Sequence, residues 1–552
     1  MNKISKKIFA SIFLCISFSV FSQNSELENE DNIIENPDFF AEETEQTQNQ
    51  EQEIQTHITI SHSSEILTLN PHLSSYSSEA QILINIYEGL FSYNPKTCEP
   101  DFAIAKDYKI SRDKKRWTFI LREDAKFCDG KTITSNDVKN SWLNLLKNKN
   151  APYSSLFDII EGAKEFRTGK STSQEVCIYT PDEKTLSVHL VSPASYLPRL
   201  LCMPAFSVVS ETPGIFSGPF YISMFTPTEL ELLKNPHYYD SENIKLQSAS
   251  FLLTENAEDN SFFFNTALSE WITGPVNYSK IIDENSKHIS VQFGTEYLSF
   301  KIYDETDSDK TSGFYIWNKK EFRQALLESC PWDKMRENVF VKASTFVYPV
   351  KNYPQVQGYD YTDLIQGKRL MSEARKKYNI PEEQTLNLSI ALSEFQEEKA
   401  QILKDAWKEL GVDVNFIQTS NLSQITSSNA DMFFYSWIGD FTDPLTFLEL
   451  YKKDSSLNIS GWSNAEFEEK LKEANLYTDE NREKLLSEAE QILLDDAMIL
   501  PIQHPVSLNI INLNKVKGWY TNPFNIHPLK SVYIQKIPKT YPGLVKKIKP
   551  LF

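Results

Sequence analysis

The sequence predicts an α/β protein that folds around more than one hydrophobic core. Its 552 residues exceed what a single core usually supports, so we expect two or three lobes. Strand patterns and helix patterns alternate along the chain. One strand pattern, "DMFFYSW" at 431–437, is apolar nearly throughout, as in strands that are covered on both faces of an α/β sheet. A content of 40% hydrophobic and 12% aromatic residues is typical of a folded chain.

The first clear unit is a strand, a turn and a helix. Residues 116–122, "RWTFILR", place alternate apolar side chains on one face, which predicts a strand. Asp129-Gly130 then predicts a turn. Thr134, followed three residues later by Asp137, resembles the capping pair that begins a helix. The apolar residues of that helix follow at helical spacing: Val138, Trp142 and Leu145.

The second unit is a helix followed by two strands. A helix is predicted over 394–410, and Gly411 ends it. Its apolar face consists of Ala400, Leu403, Trp407 and Leu410. The strand "VDVNF" comes next, and the apolar strand at 431–437 follows it. Asp440 stands just past the carboxyl end of that last strand, where α/β folds usually hold their ligands.

Charge is distributed unevenly along the chain. The net charge of −19 argues against nucleic acid as a partner, because a phosphate backbone is bound by clustered Lys and Arg. Residues 26–56 hold 11 acidic residues and no Lys or Arg, so we predict an acidic disordered tether at 23–56. Residues 530–552 hold six Lys and no acidic residue, and 541–552 are predicted to form a basic tail.

The amino terminus is typical of an export signal. Three lysines precede the apolar run 8–21, which is shorter than the roughly 20 residues that span a bilayer. We therefore predict a signal peptide at 1–22. A lipid anchor at Cys15 is the alternative, although apolar residues continue after it where a lipoprotein normally begins a polar tether.

The motifs of common enzymes are missing. The sequence contains no G-x-S-x-G, H-E-x-x-H or G-x-G-x-x-G, so we predict no catalytic residues, no cofactor and no metal site, and a secreted hydrolase is disfavoured. Five cysteines follow position 22 without a C-x-x-C, and we expect mostly buried free thiols. Asp440 and Asp443 could form an acid/base pair, but a turn before Pro444 is the favoured interpretation of Asp443.

Nine segments, taken in order, resemble one protein family. They are "LTLNPH", "IYEGLFSYNPKTCEPDFAIAKDY", "RWTFILREDAKFCDGKTITSNDVKNSW", "SGPFYI", "EFRQALLES", "WKELGVDV", "SWIGDFTDP", "FEEKLKEA" and "EAEQILLDDAMILP". The segment at 117–142 is the most specific of the nine. Together the nine segments span residues from about 57 to about 536. The chain resembles the extracytoplasmic solute-binding proteins of bacterial peptide ABC importers, the oligopeptide- and dipeptide-binding group known as family 5.

The resemblance implies a two-lobed periplasmic-binding-protein-like fold of three domains, with a hinge and an interlobe cleft. Domain I would comprise residues 57–91, 210–292 and 506–540. Domain II would comprise residues 92–209, and domain III residues 293–505. Closure of the lobes over a ligand is then the expected motion.

The resemblance also implies which residues bind the ligand. In the peptide binders, a carboxylate at the position of Asp440 holds the α-amino group of the peptide, and the residue at the position of Trp437 helps to wall the cleft. A peptide ammonium in a closed cleft needs such an opposite charge. The remaining ligand-facing residues would be Tyr153, Tyr297, Ser75 and Tyr76. Ordinary packing is the alternative for each tyrosine, and a surface-facing turn is the alternative for Asp440.

Some positions depart from the family pattern. Lys301 replaces a common Asn and could supply a positive charge for the carboxylate end of the ligand. Phe434 stands where oligopeptide binders place an Arg. The function implied is the capture of short peptides by a periplasmic or otherwise extracytoplasmic monomer, which delivers them to the permease and ATPase subunits of an ABC importer. The alternative is a surface receptor or adhesion protein that reuses this fold without transport.

Overall fold

The computed structural model describes residues 54–66, 68–74, 76–304 and 315–535. The signal peptide, Cys15, most of the tether, Ser75 and the basic tail therefore lie outside the described residues. The strands, in chain order, are β1 (Ile54–Gln55), β2 (His57–His62), β3 (Phe91–Tyr93), β4 (Pro100–Phe102), β5 (Ala105–Ile110), β6 (Arg116–Leu121), β7 (Ile178–Asp182), β8 (Thr185–His189), β9 (Phe220–Phe225), β10 (Glu229–Lys234), β11 (Ser248–Leu253), β12 (Trp271–Ile272), β13 (Lys287–Val291), β14 (Gly294–Phe300), β15 (Leu386–Leu392), β16 (Val412–Gln418), β17 (Met432–Ile438), β18 (Ile499–Gln503), β19 (Val506–Ile511), β20 (Val516–Lys517) and β21 (Tyr533–Gln535).

The α-helices in the described ranges are spread between the strands. They are α1 (Ser77–Ile86), α2 (Ser135–Lys147), α3 (Ala163–Arg167), α4 (Leu197–Leu200), α5 (Ala257–Asn265), α6 (Lys320–Glu328), α7 (Trp332–Met335), α8 (Leu364–Lys377), α9 (Glu397–Trp407), α10 (Leu422–Ser427), α11 (Leu445–Leu448), α12 (Ala465–Ala474) and α13 (Glu480–Asp495). The fold is thus α/β, as the alternating patterns predict.

The largest sheet has seven strands in the order β13-β19-β12-β2-β11-β10-β9. It joins distant parts of the chain, because β2 pairs in parallel with both β11 and β12, and β19 pairs with β12 and β13. A separate cluster of buried apolar side chains, which includes Ile58, Phe251 and Trp271, packs on it.

A five-stranded sheet carries the site described below. Its order is β16-β15-β17-β14-β18. β17 pairs with β14 in antiparallel register from Met432 to Ile438. On its other edge β17 pairs with β15 only at Met432 and Phe433. The last residues of β17 therefore have a neighbouring strand on one side.

A four-stranded antiparallel sheet in the order β5-β6-β8-β7 shares a buried apolar core with the five-stranded sheet. The buried apolar residues of these two regions form one continuous cluster. The rings of Tyr196 and Phe441 stack across the junction at a centroid distance of 6.1 Å. These two parts of the chain are therefore in contact. Each of these three sheets takes its strands from the segments of one predicted domain, and the domain boundaries themselves stay a prediction.

The predicted strand, turn and helix at 116–145 are confirmed. β6 buries alternate side chains, and α2 begins with a complete capping box. The backbone N–H of Asp137 donates to the Thr134 side chain, and the Thr134 backbone N–H donates to the Asp137 carboxylate. This reciprocal pair satisfies N–H groups that the first turn of a helix leaves free. α2 then buries Val138 and Trp142 against its neighbours.

The second predicted unit is also confirmed, with shorter helix bounds. The α-helical part is α9, and 3₁₀ turns at Glu394–Gln396 and Lys408–Leu410 flank it. Gly411 ends the unit with a φ of +71°, a left-handed conformation that glycine adopts without the clash a Cβ would create. β16 follows directly, and β17 is buried over most of its length.

One further expectation concerns the cysteines. All five cysteines of the described part are free thiols; Cys98, Cys202 and Cys330 are buried, and Cys128 and Cys177 are half-buried. Over the described ranges, we find no helix with both the length and the apolar character to cross a membrane.

Candidate functional site

The site is built around Asp440, which lies two residues beyond β17. Its position is fixed through the backbone. The Asp440 N–H donates to Thr446 Oγ1 at 3.1 Å, and the Tyr93 hydroxyl donates to the Asp440 carbonyl oxygen at 2.6 Å. The preceding residue must be small, because a Cβ on Gly439 would meet the Phe293 ring at 2.5 Å. The close packing of this turn therefore fixes the direction in which the Asp440 side chain leaves the backbone.

The carboxylate of Asp440 is half satisfied. The Tyr153 hydroxyl donates to Oδ1 at 3.0 Å. The other oxygen, Oδ2, is buried and has no hydrogen-bond partner among the described residues, although Asp440 as a whole keeps some exposure. Burial raises the pKa of the Asp440 carboxyl to about 7, and the Tyr153 hydrogen bond opposes that rise. A buried carboxylate oxygen without a donor carries a free-energy cost that an incoming cation would remove.

Trp437 and Tyr297 line a small aromatic cavity of about 40 Å³. Trp437 is 6% exposed and Tyr297 is 2% exposed. The Trp437 indole Nε1–H is buried without a partner among the described residues. Tyr435 stands between them on the same face, with ring centroids 6.4 Å from Tyr297 and 6.5 Å from Trp437.

Tyr76 precedes α1 and approaches the same group. Burial raises the pKa of Tyr435, and the nearby Tyr76 phenol contributes to the rise. Asp440 and Tyr153 are in direct contact. Trp437 and Tyr297 belong to the aromatic cavity, and Tyr435 in its wall is close enough to Asp440 and Tyr76 for both to influence its pKa. Ser75 lies outside the described residues. That these side chains contact a ligand stays a prediction.

The predicted role of Lys301 is wrong. Lys301 is buried, and its Nζ donates to the backbone carbonyls of Ile425, Thr426 and Ser428 at 3.2, 3.2 and 2.8 Å. These carbonyls lie at the C-terminal end of α10. The last carbonyl groups of a helix have no hydrogen-bond partner within the helix. The ammonium therefore caps a helix and does not face a ligand.

The turn interpretation of Asp443 is confirmed, with an addition. Asp443 Oδ1 accepts the N–H of Leu445 at 3.0 Å at the start of α11. The same oxygen also accepts a hydrogen bond from Arg482 at 2.8 Å in a buried ion pair. Asp443 is therefore committed to structure, and it is not the partner of an acid/base pair with Asp440.

Several polar contacts join the segments 92–209 and 293–505. Ser456 Oγ donates to the Pro152 carbonyl at 2.5 Å, and the Ser456 N–H donates to Ser155 Oγ at 3.0 Å. Lys164 and Asp454 form an ion pair at 2.6 Å. We call these the closure contacts. The same segments, Phe441 among them, line a larger cavity of about 760 Å³.

Sequence reasoning missed Tyr93, Tyr435 and Ser456. Tyr435 could have been found, because alternation along β17 puts it on the same face as Phe433 and Trp437. Tyr93 and Ser456 carry no local signal, since their contacts join residues about 300 or more positions apart.

An α/β fold of several sheets, with a buried carboxylate oxygen that lacks a donor where two chain segments meet, fits the class of solute-binding proteins. Residues 99–458 match the family described as bacterial extracellular solute-binding proteins, family 5 middle. The chain belongs to this family.

Similar proteins cover most of the chain. It is 25% identical over 501 residues to the dipeptide-binding protein DppE of Bacillus subtilis, covering 85% of this chain and 90% of that protein. It is 27% identical over 523 residues to the periplasmic murein peptide-binding protein MppA of Escherichia coli, covering 88% and 94%. Its fold is similar to that of Haemophilus influenzae OppA in complex with the peptide RPPGFSPFR, with a TM-score of 0.74, 21% identity and coverage of 88% and 100%.

Proposed function

We propose that this protein captures short peptides between its lobes and delivers them to the permease and ATPase subunits of an ABC importer. It acts as a monomer outside the cytoplasm and performs no chemistry on its cargo. The relatives named above are dipeptide-, murein peptide- and oligopeptide-binding proteins, which supports a peptide as the cargo. Export through the signal peptide at 1–22, with a lipid anchor at Cys15 as the alternative, belongs to the same proposal.

The observation that carries the proposal is the free oxygen of Asp440. Oδ1 is occupied by Tyr153, whereas Oδ2 is buried and lacks a donor among the described residues. The α-ammonium of a peptide carries one positive charge and three N–H donors, so it supplies both the charge and the hydrogen bond that Oδ2 lacks. Trp437, Tyr297 and Tyr76 would then contact the first residues of the cargo.

The open edge of β17 supports an extended cargo. β15 pairs with β17 at Met432 and Phe433, and β17 continues to Ile438 with β14 on its other side. Over 434–438 the described chain places no strand on the first edge. A peptide that adds there is held through its main chain, which is largely independent of its sequence. The amino end of that peptide would reach Asp440, just beyond the strand.

The domain arrangement belongs to the proposal as well. Domain I (57–91, 210–292 and 506–540) and domain II (92–209) would form one lobe, and domain III (293–505) the other. The closure contacts join domain II to domain III, so a hinge motion would break them and open the site to water. Cargo would enter the open form and be enclosed by the closed form.

Isothermal titration calorimetry tests the amine anchor. The protein is unfolded, freed of bound material and refolded, and then titrated with short peptides that have either a free or an acetylated amino end. We expect acetylation, or D440N, to weaken binding about 100-fold or more, because a buried charge left without its partner costs about 3–5 kcal/mol. D413N, at an exposed position on β16, is the matched control and should bind as the unaltered chain does. Equal affinity for free and acetylated peptides would contradict the proposal.

A further inference from the structure

Tyr196 joins the two segments at a point that the closure contacts do not include. It directly precedes α4 in the segment 92–209 and is 3% exposed. Its ring stacks on Phe441 at a centroid distance of 6.1 Å and an interplanar angle of 20°. The Arg482 guanidinium of α13 lies 5.2 Å from the centroid of the same ring. Both partners belong to the segment 293–505, so one side chain of the first segment contacts two side chains of the second.

Both contacts of Tyr196 lead to the turn that carries Asp440. Phe441 directly follows Asp440 in the chain. Arg482 donates to Asp443 Oδ1 at 2.8 Å in a buried ion pair, in which the two side chains are 4% and 3% exposed. Tyr196 therefore contacts the turn 440–444 directly through Phe441 and indirectly through Arg482.

The neighbouring charges agree with this arrangement. Arg199 follows Tyr196 by three residues, and Glu483 directly follows Arg482. Burial raises the pKa of the Glu483 carboxyl, and the guanidinium groups of Arg482 and Arg199 oppose the rise. The start of α4 in one segment therefore lies close to the start of α13 in the other.

The residue types suit a contact that forms and separates. Tyr and Arg each combine an apolar or planar surface with a polar group that water can hydrate. Both are enriched in interfaces between surfaces that are hydrated before they meet. The attraction of a desolvated guanidinium to an aromatic ring corresponds to about 30-fold in an equilibrium constant. Such a pair can be hydrated when the segments are apart and still attract when they meet.

We propose that Tyr196 and Arg482 are positioning residues for the amine anchor: their contact forms when the segments meet and holds the turn 440–444 so that Asp440 binds the amino end of the cargo. The inference rests on the proposed peptide-binding function and assigns to it two residues that act through Asp440 and not by contact with the cargo. When the segments separate, Arg482 keeps its ion pair with Asp443 but loses the ring. The binding geometry of Asp440 therefore depends on closure.

Calorimetric titration of the full-length protein with Ala-Ala-Ala, either free or acetylated at its amino end, tests the inference. Y196F keeps the ring and should bind the free peptide within about 2-fold of the unaltered chain. Y196L removes the ring and should weaken binding of the free peptide by about 30-fold. The acetylated peptide cannot pair with Asp440 and should lose less affinity. The preference for a free amino end should therefore become at least about 3-fold smaller.

R482K tests the same contact from the other segment. Lysine keeps the positive charge that Asp443 needs but lacks the planar guanidinium that lies over the ring. Binding of the free peptide should weaken about 10-fold. The double variant Y196L/R482K should bind no more than about 2-fold more weakly than Y196L, because both side chains act through one contact. The result for R482K does not depend on the folding of Y196L.

F119L is the matched control. Phe119 is fully buried in β6, and its ring packs on Phe91, Tyr108 and Trp117, none of which belongs to the segment 293–505. Loss of this ring should lower the Tm of the protein. It should leave both the affinity for the free peptide and the preference for a free amino end unchanged.

The outcomes separate the inference from the function beneath it. If Y196L and R482K lower the Tm but leave the affinity unchanged, as F119L should, the contact is only structural and the inference is overturned. If Y196L weakens the free and the acetylated peptide equally, the positioning role is overturned and peptide capture stands. Additive losses in the double variant would overturn the coupling between Tyr196 and Arg482. If the unaltered protein binds no peptide with a free amino end, the proposed function itself fails.

Discussion

Replacing Asp440 by Asn should change how the stability of the ligand-free protein depends on pH. The pKa of the Asp440 carboxyl is raised to about 7 in the folded protein, whereas an unfolded aspartate has a pKa of about 3.9. A carboxyl group whose folded pKa is raised destabilises the fold. This loss of folding stability begins as the pH rises above the pKa of the unfolded state and is complete above the pKa of the folded state.

The size of this effect follows from the two pKa values. One pKa unit corresponds to about 1.4 kcal/mol, so the cost approaches about 4 kcal/mol at pH 8 and is below about 1 kcal/mol at pH 4. An Asn side chain does not titrate. The free energy of unfolding of D440N should therefore gain about 3 kcal/mol relative to the unaltered protein between pH 4 and pH 8.

Differential scanning calorimetry of protein freed of bound peptide measures this gain. An unfolding entropy of about 2 cal/mol/K per residue makes 1 kcal/mol worth about 1 °C in a cooperative unit of roughly 500 residues. The Tm of D440N minus that of the unaltered protein should thus rise by about 3 °C from pH 4 to pH 8, while D413N shows no such trend. A constant difference across this range would mean that the free carboxylate is hydrated, and would refute the reasoning from burial.

Further predictions concern binding and closure. The affinity for a peptide should rise about 10-fold per pH unit from pH 5 to 7, because the Asp440 carboxyl must lose its proton to pair with an ammonium. Above about pH 8 the affinity should fall as the peptide amine deprotonates. Proton release measured calorimetrically in two buffers checks this, and an affinity that does not change with pH would contradict it. Y153F removes the hydrogen bond to Oδ1 of Asp440. The pH range over which the affinity rises should move up by about one pH unit, while the fall in affinity caused by deprotonation of the peptide amine should stay at the same pH. K164E should weaken peptide binding by up to about 5-fold, because the Lys164–Asp454 ion pair is exposed and contributes less than about 1 kcal/mol. The double variant K164E/D454K should restore the affinity and the compact small-angle scattering profile. A double variant that recovers neither would show that this ion pair does not assist closure.

Local patterns account for the elements that the sequence predicted well. β6, α2 and α9 have clear periodicity, and the capping box at Thr134 and the left-handed Gly411 mark ends that neighbouring residues determine. The strand β17 and the position of Asp440 beyond it follow from an apolar run and its end. None of these inferences requires knowledge of distant residues.

The details of the site depend on distant residues and could not be predicted in this way. The Tyr93 hydroxyl reaches the Asp440 carbonyl across 347 positions. The charge of Lys301 departs from the family pattern and suggests that it could contact the ligand, but the sequence does not show that three carbonyls at the end of α10 surround it. Asp443 was recognised as a turn residue, whereas its partner Arg482 lies on another helix.

The two hydrogen bonds that Asp440 receives from Tyr93 and Tyr153 come from the segment 92–209, whereas Asp440 belongs to the segment 293–505. The residue that is proposed to bind the cargo is therefore also part of a contact between the two segments that the proposed hinge motion would separate. If the two sides separate, Asp440 loses both hydroxyl groups and water reaches its carboxylate, which weakens its attraction for a positive charge. An importer that pulls the halves apart would lower the affinity for the cargo by that movement alone, so the protein could surrender a tightly held peptide without any change to the peptide itself.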